Sequence, residues 1–315
     1  MYNIFKKWAE HDVDLAQIKK FGDVYFVDRE SGSDAYSGLK PKEAKLTLNA
    51  AVALCIANHN DSIIFKGRTT SGQMLTATQT IDKSGVHLIG SGLFYGSAAF
   101  AEATYVGYHT PAATGGLGSP PGLLVEGNGC EIAGIKFYNP DATKIQTELQ
   151  VHADFSSGGR GTGVSIHDCF FQGQNGGTAD RTRGIELIGS EAAQLYRNQF
   201  YCCEYGIYFR SASYHYTQGC TIKDQLIYGA KYGLYFDVDV ADNILEDILI
   251  AQKGNTGYAI TRGVQLGTNT YGNTFRRVDV GHATKSTAFA PAGNTNYWID
   301  CHYMDTTGGT LYDGS

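Results

Sequence analysis

The chain has 315 residues, 40 glycines against six prolines, 18% charged residues and a formal net charge of −6. It contains no basic block, which excludes the electrostatic footprint of a nucleic-acid-binding protein, and no apolar run long enough to span a membrane as a helix. Seven cysteines without C-x-x-C spacing are read mostly as reduced, buried apolar residues rather than as a disulfide or metal framework.

In chain order, residues 1–22 are expected to form a short amphipathic arm. Ile4, Trp8, His11, Leu15 and Ile18 follow one another at steps of 4, 3, 4 and 3, the stripe of a helix with one apolar face. Two roles fit it: a helix docked on its own domain, or an arm that trimerises or anchors the protein to a larger assembly. Charges interrupt the N-terminus from Lys6 onward, so no signal peptide is expected there and synthesis and assembly are expected in a cytosol.

Residues 23–60 read as an entry segment. Val24–Asp28 has strand composition, residues 32–38 and Pro41 are turn-rich, and Leu48, Ala51, Val52 and Cys55 mark one face of a short helix. Asp28, Ser33 and Asp34 do not have the spacing of an EF-hand, and no metal is assigned to them.

Residues 61–303 hold a recurring unit. Strands are expected at 62–66 and 86–90, and insertions at about 96–122, 155–163 and 173–183. One half of the unit is Gly-apolar-x-apolar, as in Gly184-Ile185-Glu186-Leu187, Gly206-Ile207-Tyr208-Phe209, Gly233-Leu234-Tyr235-Phe236 and Gly263-Val264-Gln265-Leu266. The other half is a triplet spaced i, i+3, i+5. It runs from Ile132/Ile135/Phe137 through Ile166/Cys169/Phe171, Leu195/Asn198/Phe200, Ile222/Gln225/Ile227, Leu245/Ile248/Ile250 and Phe275/Val278/Val280 to Trp298/Cys301/Tyr303.

The i, i+2 spacing in both halves is that of a pleated strand. The extra residue in the i, i+3 step implies a bend between two short strands, and the glycine is expected where the backbone turns sharply. Imperfect repeats of this length mean a solenoid. Asn198 and Gln225, inward at equivalent places, are expected to bond to each other or to backbone. The tail, 304–315, is polar and Gly-rich and shows no clear terminal cap.

The repeat, with its Gly-Ile-x-Leu and Asn-x-Phe fragments, resembles the right-handed parallel β-helix of the pectate-lyase-like superfamily, in its viral branch of tailspikes, fibres and decoration proteins. The resemblance implies an all-β, right-handed parallel β-helix solenoid with a helical arm and a capping helix at its N-terminal end. It does not transfer an active site. The Asn-Thr-Asp, Asp-Asp, Ser/Gly-His-Gly and Arg-Ile-Lys motifs of polygalacturonases are missing. No Arg or Lys is assigned by spacing to the carboxylates Asp237, Asp239 and Asp242.

Read by columns, the Gly-led strand presents Glu186, Tyr208, Tyr235 and Gln265 outward, with Arg210 and Asp237 in the next column. Asp239 shares that face if the strand continues. Glu186, Asp237 and Asp239 are the candidate catalytic carboxylates and Tyr208, Tyr235, Gln265 and Arg210 the candidate glycan-binding groups, since glycoside cleavage needs paired carboxyls and sugar rings pack on aromatic rings. The plainer reading is a surface ladder with an Arg210–Asp237 ion pair. Phe170, Leu226 and Leu249 fall outward on the triplet strand and form an apolar strip of the kind that marks a partner surface. The nine histidines are scattered and read as structural.

These residues point first to a phage structural protein: a homotrimeric spike, fibre or capsid decoration on the virion surface, assembled in the host cytoplasm. Its arm would meet other virion proteins and its coil would meet host surface polysaccharide. The alternative is a polysaccharide depolymerase, hydrolase or lyase. Neither reading calls for a cofactor.

Overall fold

A computed structural model of the chain describes residues 22–66, 78–91, 105–107, 121–138, 146–152, 161–173, 182–212, 215–252, 260–281, 288–290, 295–305 and 308–312. The expected arm with Ile4, Trp8, Leu15 and Ile18, and most of the three expected insertions, lie outside these residues.

Short extended segments with alternating inward apolar residues cannot bury an edge alone, so each pairs in parallel with the segment one coil away. Among the described residues this gives three sheets: sixteen strands in sheet A, eight in sheet B and three in sheet C. Sheet A starts at the entry strand Val24–Asp28, which pairs in parallel with Ser62–Lys66. It continues coil by coil to Thr274–Gly281 and Cys301–Asp305. Sheet B runs from Gln79–Ile81 through Gln146–His152, Thr182–Ile188, Tyr205–Arg210, Tyr232–Phe236 and Arg262–Leu266 to Phe289–Ala290. The architecture is a parallel β-helix.

The expected interior rows are present. Ile185, Ile207, Leu234 and Val264 are in register and fully buried. Phe137, Phe171 and Phe200 stack with ring centroids 4.9 Å apart at each step, and Phe209 stacks on Phe236 at 4.4 Å. These distances match the roughly 4.8 Å between strands. All the triplet residues are buried except Trp298 and Tyr303, which are partly covered against the same core.

The extra residue of each triplet is a left-handed bend. Gly134, Asp168, Arg197, Asp224, Asp247, Arg277 and Asp300 all have φ between 51° and 65°. The backbone thus kinks inside each triplet, and from Asp168 onward an Asp or Arg side chain stands there. Arg197 bridges Asp168 one coil below through two hydrogen bonds of 2.8 and 2.6 Å. Arg277 does the same to Asp247.

The glycines that open the other half of the repeat are needed for a different reason from the sharp turn expected. Gly184, Gly206, Gly233 and Gly263 are not in the left-handed region. A Cβ at Gly184 would lie 2.5 Å from the Phe200 ring, and one at Gly233 would lie 2.6 Å from Ile250 Cδ1. The core of the opposite sheet occupies the space a side chain would need.

The entry segment caps the stack. The helix α1, Leu48–Val52, buries Leu48, Ala51 and Val52, and Cys55 just beyond it is also buried. Its N-cap, Thr47, accepts from Ala50 N at 3.2 Å. Asp34 secures the approach by accepting from Leu46 N, Thr47 N and Thr47 Oγ1 at 2.8–3.0 Å. Asp28 accepts from Glu30 N, Ser31 N, Ser31 Oγ and Lys66 Nζ. Both carboxylates are thereby committed to holding loops.

The other end has a feature the tail composition does not announce. Gly308–Tyr312 turns back and pairs antiparallel with Cys301–Asp305. All seven cysteines are buried and free, and burial pushes the thiols of Cys169 and Cys220 up to about 12.

Asn198 and Gln225 do not bond to each other. Asn198 Nδ2 donates to Ile166 O and Gln225 Nε2 to Leu195 O. The amide ladder stands elsewhere, at the corner leading into sheet A. Asn243 Nδ2 donates to Asn273 Oδ1, and Asn273 Nδ2 to Asn296 Oδ1, both at 2.9 Å. Each acceptor also takes a backbone N–H from the previous coil. Asn273→Ala leaves the buried Asn243 amide and Asn296 carbonyl each short of a partner. A loss of about 2 kcal/mol is expected in chemical denaturation; an unchanged midpoint would show that the ladder adds nothing.

Candidate functional site

Outward side chains of a β-helix fall in columns, so groups far apart in sequence meet across coils. On sheet A this assembles a cluster from six residues. His87 and Glu131 are register partners in adjacent coils, with Nδ1 and Oε2 2.7 Å apart. His167, one coil further on, brings Nε2 to 2.7 Å from Glu131 Oε1 and Nδ1 to 2.7 Å from Asp168 Oδ2. Arg197 holds the far side of Asp168 and lies over the Tyr196 ring at 4.7 Å. Tyr196 also stacks on His167, centroids 4.5 Å apart.

Neighbouring charges set the protonation of Glu131, His167 and Asp168. Hydrogen bonds from His167 and then His87 hold the Glu131 carboxyl down to about 2. Burial opposes charge on His167, but Glu131 and Asp168 outweigh it and raise its pKa. Arg197 first, against partial burial, lowers Asp168. Near neutrality Glu131 is an anion with imidazoles on two sides, and the raised pKa favours the imidazolium at His167. Glu131 is about one-third exposed and Arg197 about half, so both reach solvent. The set offers an imidazole that favours its proton, two carboxylates that hold it, and a cation along the coil axis.

The sequence did not reveal this cluster, because His87, Glu131, His167 and Arg197 form no motif. A signal was present. Once the register of the triplets is extended back to Leu88, His87 directly precedes Leu88 and Glu131 directly precedes Ile132, as Ser165 precedes Ile166. His167 directly follows Ile166.

The candidate carboxylates on sheet B have a different fate. Glu186 is 1% exposed. Its Oε1 takes Arg183 Nη1 at 2.8 Å, and its Oε2 takes Thr147 Oγ1 and Gln150 Nε2, both at 2.9 Å. Arg210 Nε is 3.0 Å from Oε1, close enough for an ion pair but not aligned as a hydrogen bond. Glu186, not Asp237, is thus the partner of Arg210. Asp237 instead accepts from Tyr208 OH at 2.9 Å. Asp239 does not continue the strand: it is a left-handed residue beyond Phe236, and it accepts from Asn269 Nδ2 at 3.0 Å.

The tyrosine column is also committed. Tyr208 is buried and stacks on Tyr235 at 5.1 Å, and Tyr205 stacks on Tyr232 at 4.9 Å. Arg183 lies over Tyr208 at 4.4 Å. Ring faces that a sugar would need are thus turned to one another and to the guanidinium. Gln265 follows Tyr235 in register and donates to Leu266 O. The structure brings Glu186, Arg210, Tyr208, Asp237 and Tyr235 together as one polar cluster in which Glu186 and Tyr208 are buried.

The apolar strip is shorter than expected. Leu226 and Leu249 are register partners, 38% and 40% exposed. Phe170, expected in the same strip, is buried at 6%, with Lys136 Nζ 5.5 Å from its ring centroid.

Parallel sheets closed around one apolar lumen, with columns of polar groups outside, define a β-helix protein. Residues 121–300 match the family described as the right handed beta helix region, and the chain belongs to that family. Among solved structures it is similar to the pectate lyase Pel9A, at 12% identity over 90% of this chain and 77% of that one, TM-score 0.42. It is also similar to the GH136 lacto-N-biosidase from Eubacterium ramulus, at 11% identity over 95% and 57%, TM-score 0.38. A third is the family 28 exopolygalacturonase of Yersinia enterocolitica, at 10% identity over 90% and 72%, TM-score 0.35. At such identities none of them transfers a residue role. No curated protein matches the sequence.

If Glu186 holds the fold, Glu186→Gln strands the buried Arg183 charge. Stability is expected to fall by about 3 kcal/mol, read by denaturant melts. A variant as stable as the parent would return Glu186 to the candidate catalytic groups.

Proposed function

We propose that this β-helix is a polysaccharide depolymerase whose substrate lies along sheet A. One observation carries the reading: Glu131 is held between His87 and His167 on an outward, solvent-reaching face, in a chain of groups that crosses several coils. His167 supplies the proton-carrying group, Glu131 and Asp168 orient its two ring nitrogens, and Arg197 offers a cation for an anionic or hydroxyl-rich part of the polymer. General acid–base groups of this kind contribute roughly 100- to 10,000-fold to rate. The column order suits a linear polymer because successive groups recur at the coil spacing. The chemistry moves from Glu186, which is buried, to Glu131 on sheet A, which is about one-third exposed.

The test is a panel of plant, capsular and cell-wall polysaccharides, scored for new reducing ends and for unsaturated, ultraviolet-absorbing ends. Glu131→Gln and His167→Asn are expected to lower the rate at least about 100-fold on whichever polymer is cut, with the fold intact by circular dichroism. Full activity in both variants would remove the site.

A specific observation favours a second reading, a virion-displayed homotrimer. Leu226 and Leu249 are exposed side by side, and Ile244, Tyr297 and Ile299 are exposed on other outward positions of the same sheet. Side-by-side packing of three coils would cover them, with the arm bearing Ile4, Trp8, Leu15 and Ile18 meeting other particle proteins. Sedimentation velocity is expected to show a trimer that Leu226→Glu with Leu249→Glu converts to monomer. A monomeric parent would exclude the assembly.

A further inference from the structure

The strand Gln146–His152 lies in sheet B between Leu123–Val125 and Thr182–Ile188. Thr147 pairs with Arg183 and Leu149 with Ile185, so Glu148 stands where the next coil has Gly184. The coils after that carry Gly206, Gly233 and Gly263 at the same place. Those glycines face the packed side chains of sheet A: a Cβ at Gly184 would meet Phe200, and one at Gly206 would lie 3.0 Å from Ile227 Cγ2. Of these five coils, one alone puts a carboxyl into the glycine column. Glu148 is fully buried, and neither of its oxygens has a hydrogen-bond partner among the described residues.

Among the described residues no cation faces it. The titratable groups it feels from neighbouring elements are the Tyr138 phenol on Lys136–Tyr138 and the Cys203 thiol just beyond Gln199–Tyr201. Burial first, and the proximity of Glu148 as well, pushes both upward, so both are neutral at ordinary pH. Thr182–Ile188 contributes Arg183 and Glu186, which are paired with each other on the outward side, and Leu123–Val125 contributes only apolar residues.

We propose that Glu148 is a pH-sensitive weak point built into the middle of the solenoid: while its carboxyl is protonated the coil stays closed, and ionisation releases the strand Gln146–His152. An unpaired carboxylate in an apolar interior is not tolerated, so the group either keeps its proton or leaves the lumen. Burial raises the Glu148 pKa well above the ordinary glutamate value. The sign follows. The closed coil binds the proton and the opened coil does not, so the stabilisation is complete below the ordinary glutamate pKa. It is lost as pH rises toward the folded value.

The strand also carries Thr147 and Gln150, which hold Glu186, so its release loosens the outer cluster as well. Opening here breaks the sheet B link between Leu123–Val125 and Thr182–Ile188, while sheet A still joins the same coils.

The test is native-state hydrogen exchange on the full chain, corrected for intrinsic rates, from mildly acidic to mildly alkaline pH. In the parent, the opening constant of 146–152 is expected to rise about tenfold per pH unit, while 244–251 stays flat. Glu148→Gln and Glu148→Gly, the second restoring the glycine column, are expected to abolish the slope. A flat parent profile, or a slope that survives in either folded variant, overturns the proposal. If Glu148→Gln does not fold, the parent profile and Glu148→Gly decide it.

Discussion

An inward side chain of one coil must lie directly under the inward side chain of the next, because parallel strands in register leave it no other neighbour along the stack. This vertical coincidence is the constraint from which the rest of the molecule follows. It makes ring stacks of Phe137, Phe171 and Phe200 rather than a mixed core. It lets Asn243, Asn273 and Asn296 satisfy one another at a corner where isolated buried amides would be destabilising. It fixes which glycines are required, since Gly184 and Gly233 face side chains from across the lumen.

The same coincidence governs the outside, where it produces two carboxylate clusters of opposite character. Glu186 receives two arginines, a threonine and a glutamine and disappears from solvent. Removing one partner from such a set is far costlier than never having built it, which is how a structural cluster behaves. Glu131 receives two imidazoles and stays accessible. Its partners are imidazoles, whereas those of Glu186 are guanidinium, hydroxyl and amide groups. Of the two carboxylates, Glu131 alone stays within reach of solvent.

The fold was legible because its signal is local and repeated. The i, i+3, i+5 triplets required only that apolar residues recur, and the bend inside each was implied by the odd spacing. The site was less legible because side-chain reach is not periodic. The repeat puts Glu186 and Tyr208 in one column. Whether that column is open depends on Arg183 and Thr147, which lie outside the motif. Phe170 shares a column with Leu226 and Leu249 but is covered beside Lys136. Glu131 and His167 meet only on the diagonal, so a reading by straight columns passes over them. The asparagine ladder repeats at 30 and 23 residues, the same intervals as the triplets it accompanies, and is available to a search for polar as well as apolar recurrence.

The antiparallel strand Gly308–Tyr312 has a consequence for the edge it covers. A coil that ends on a free parallel rung offers the next molecule a ready template, and stacking end to end would give a filament. Gly308–Tyr312 runs the other way along Cys301–Asp305. An incoming strand would find the polarity of that edge reversed, so parallel addition is blocked along Cys301–Asp305.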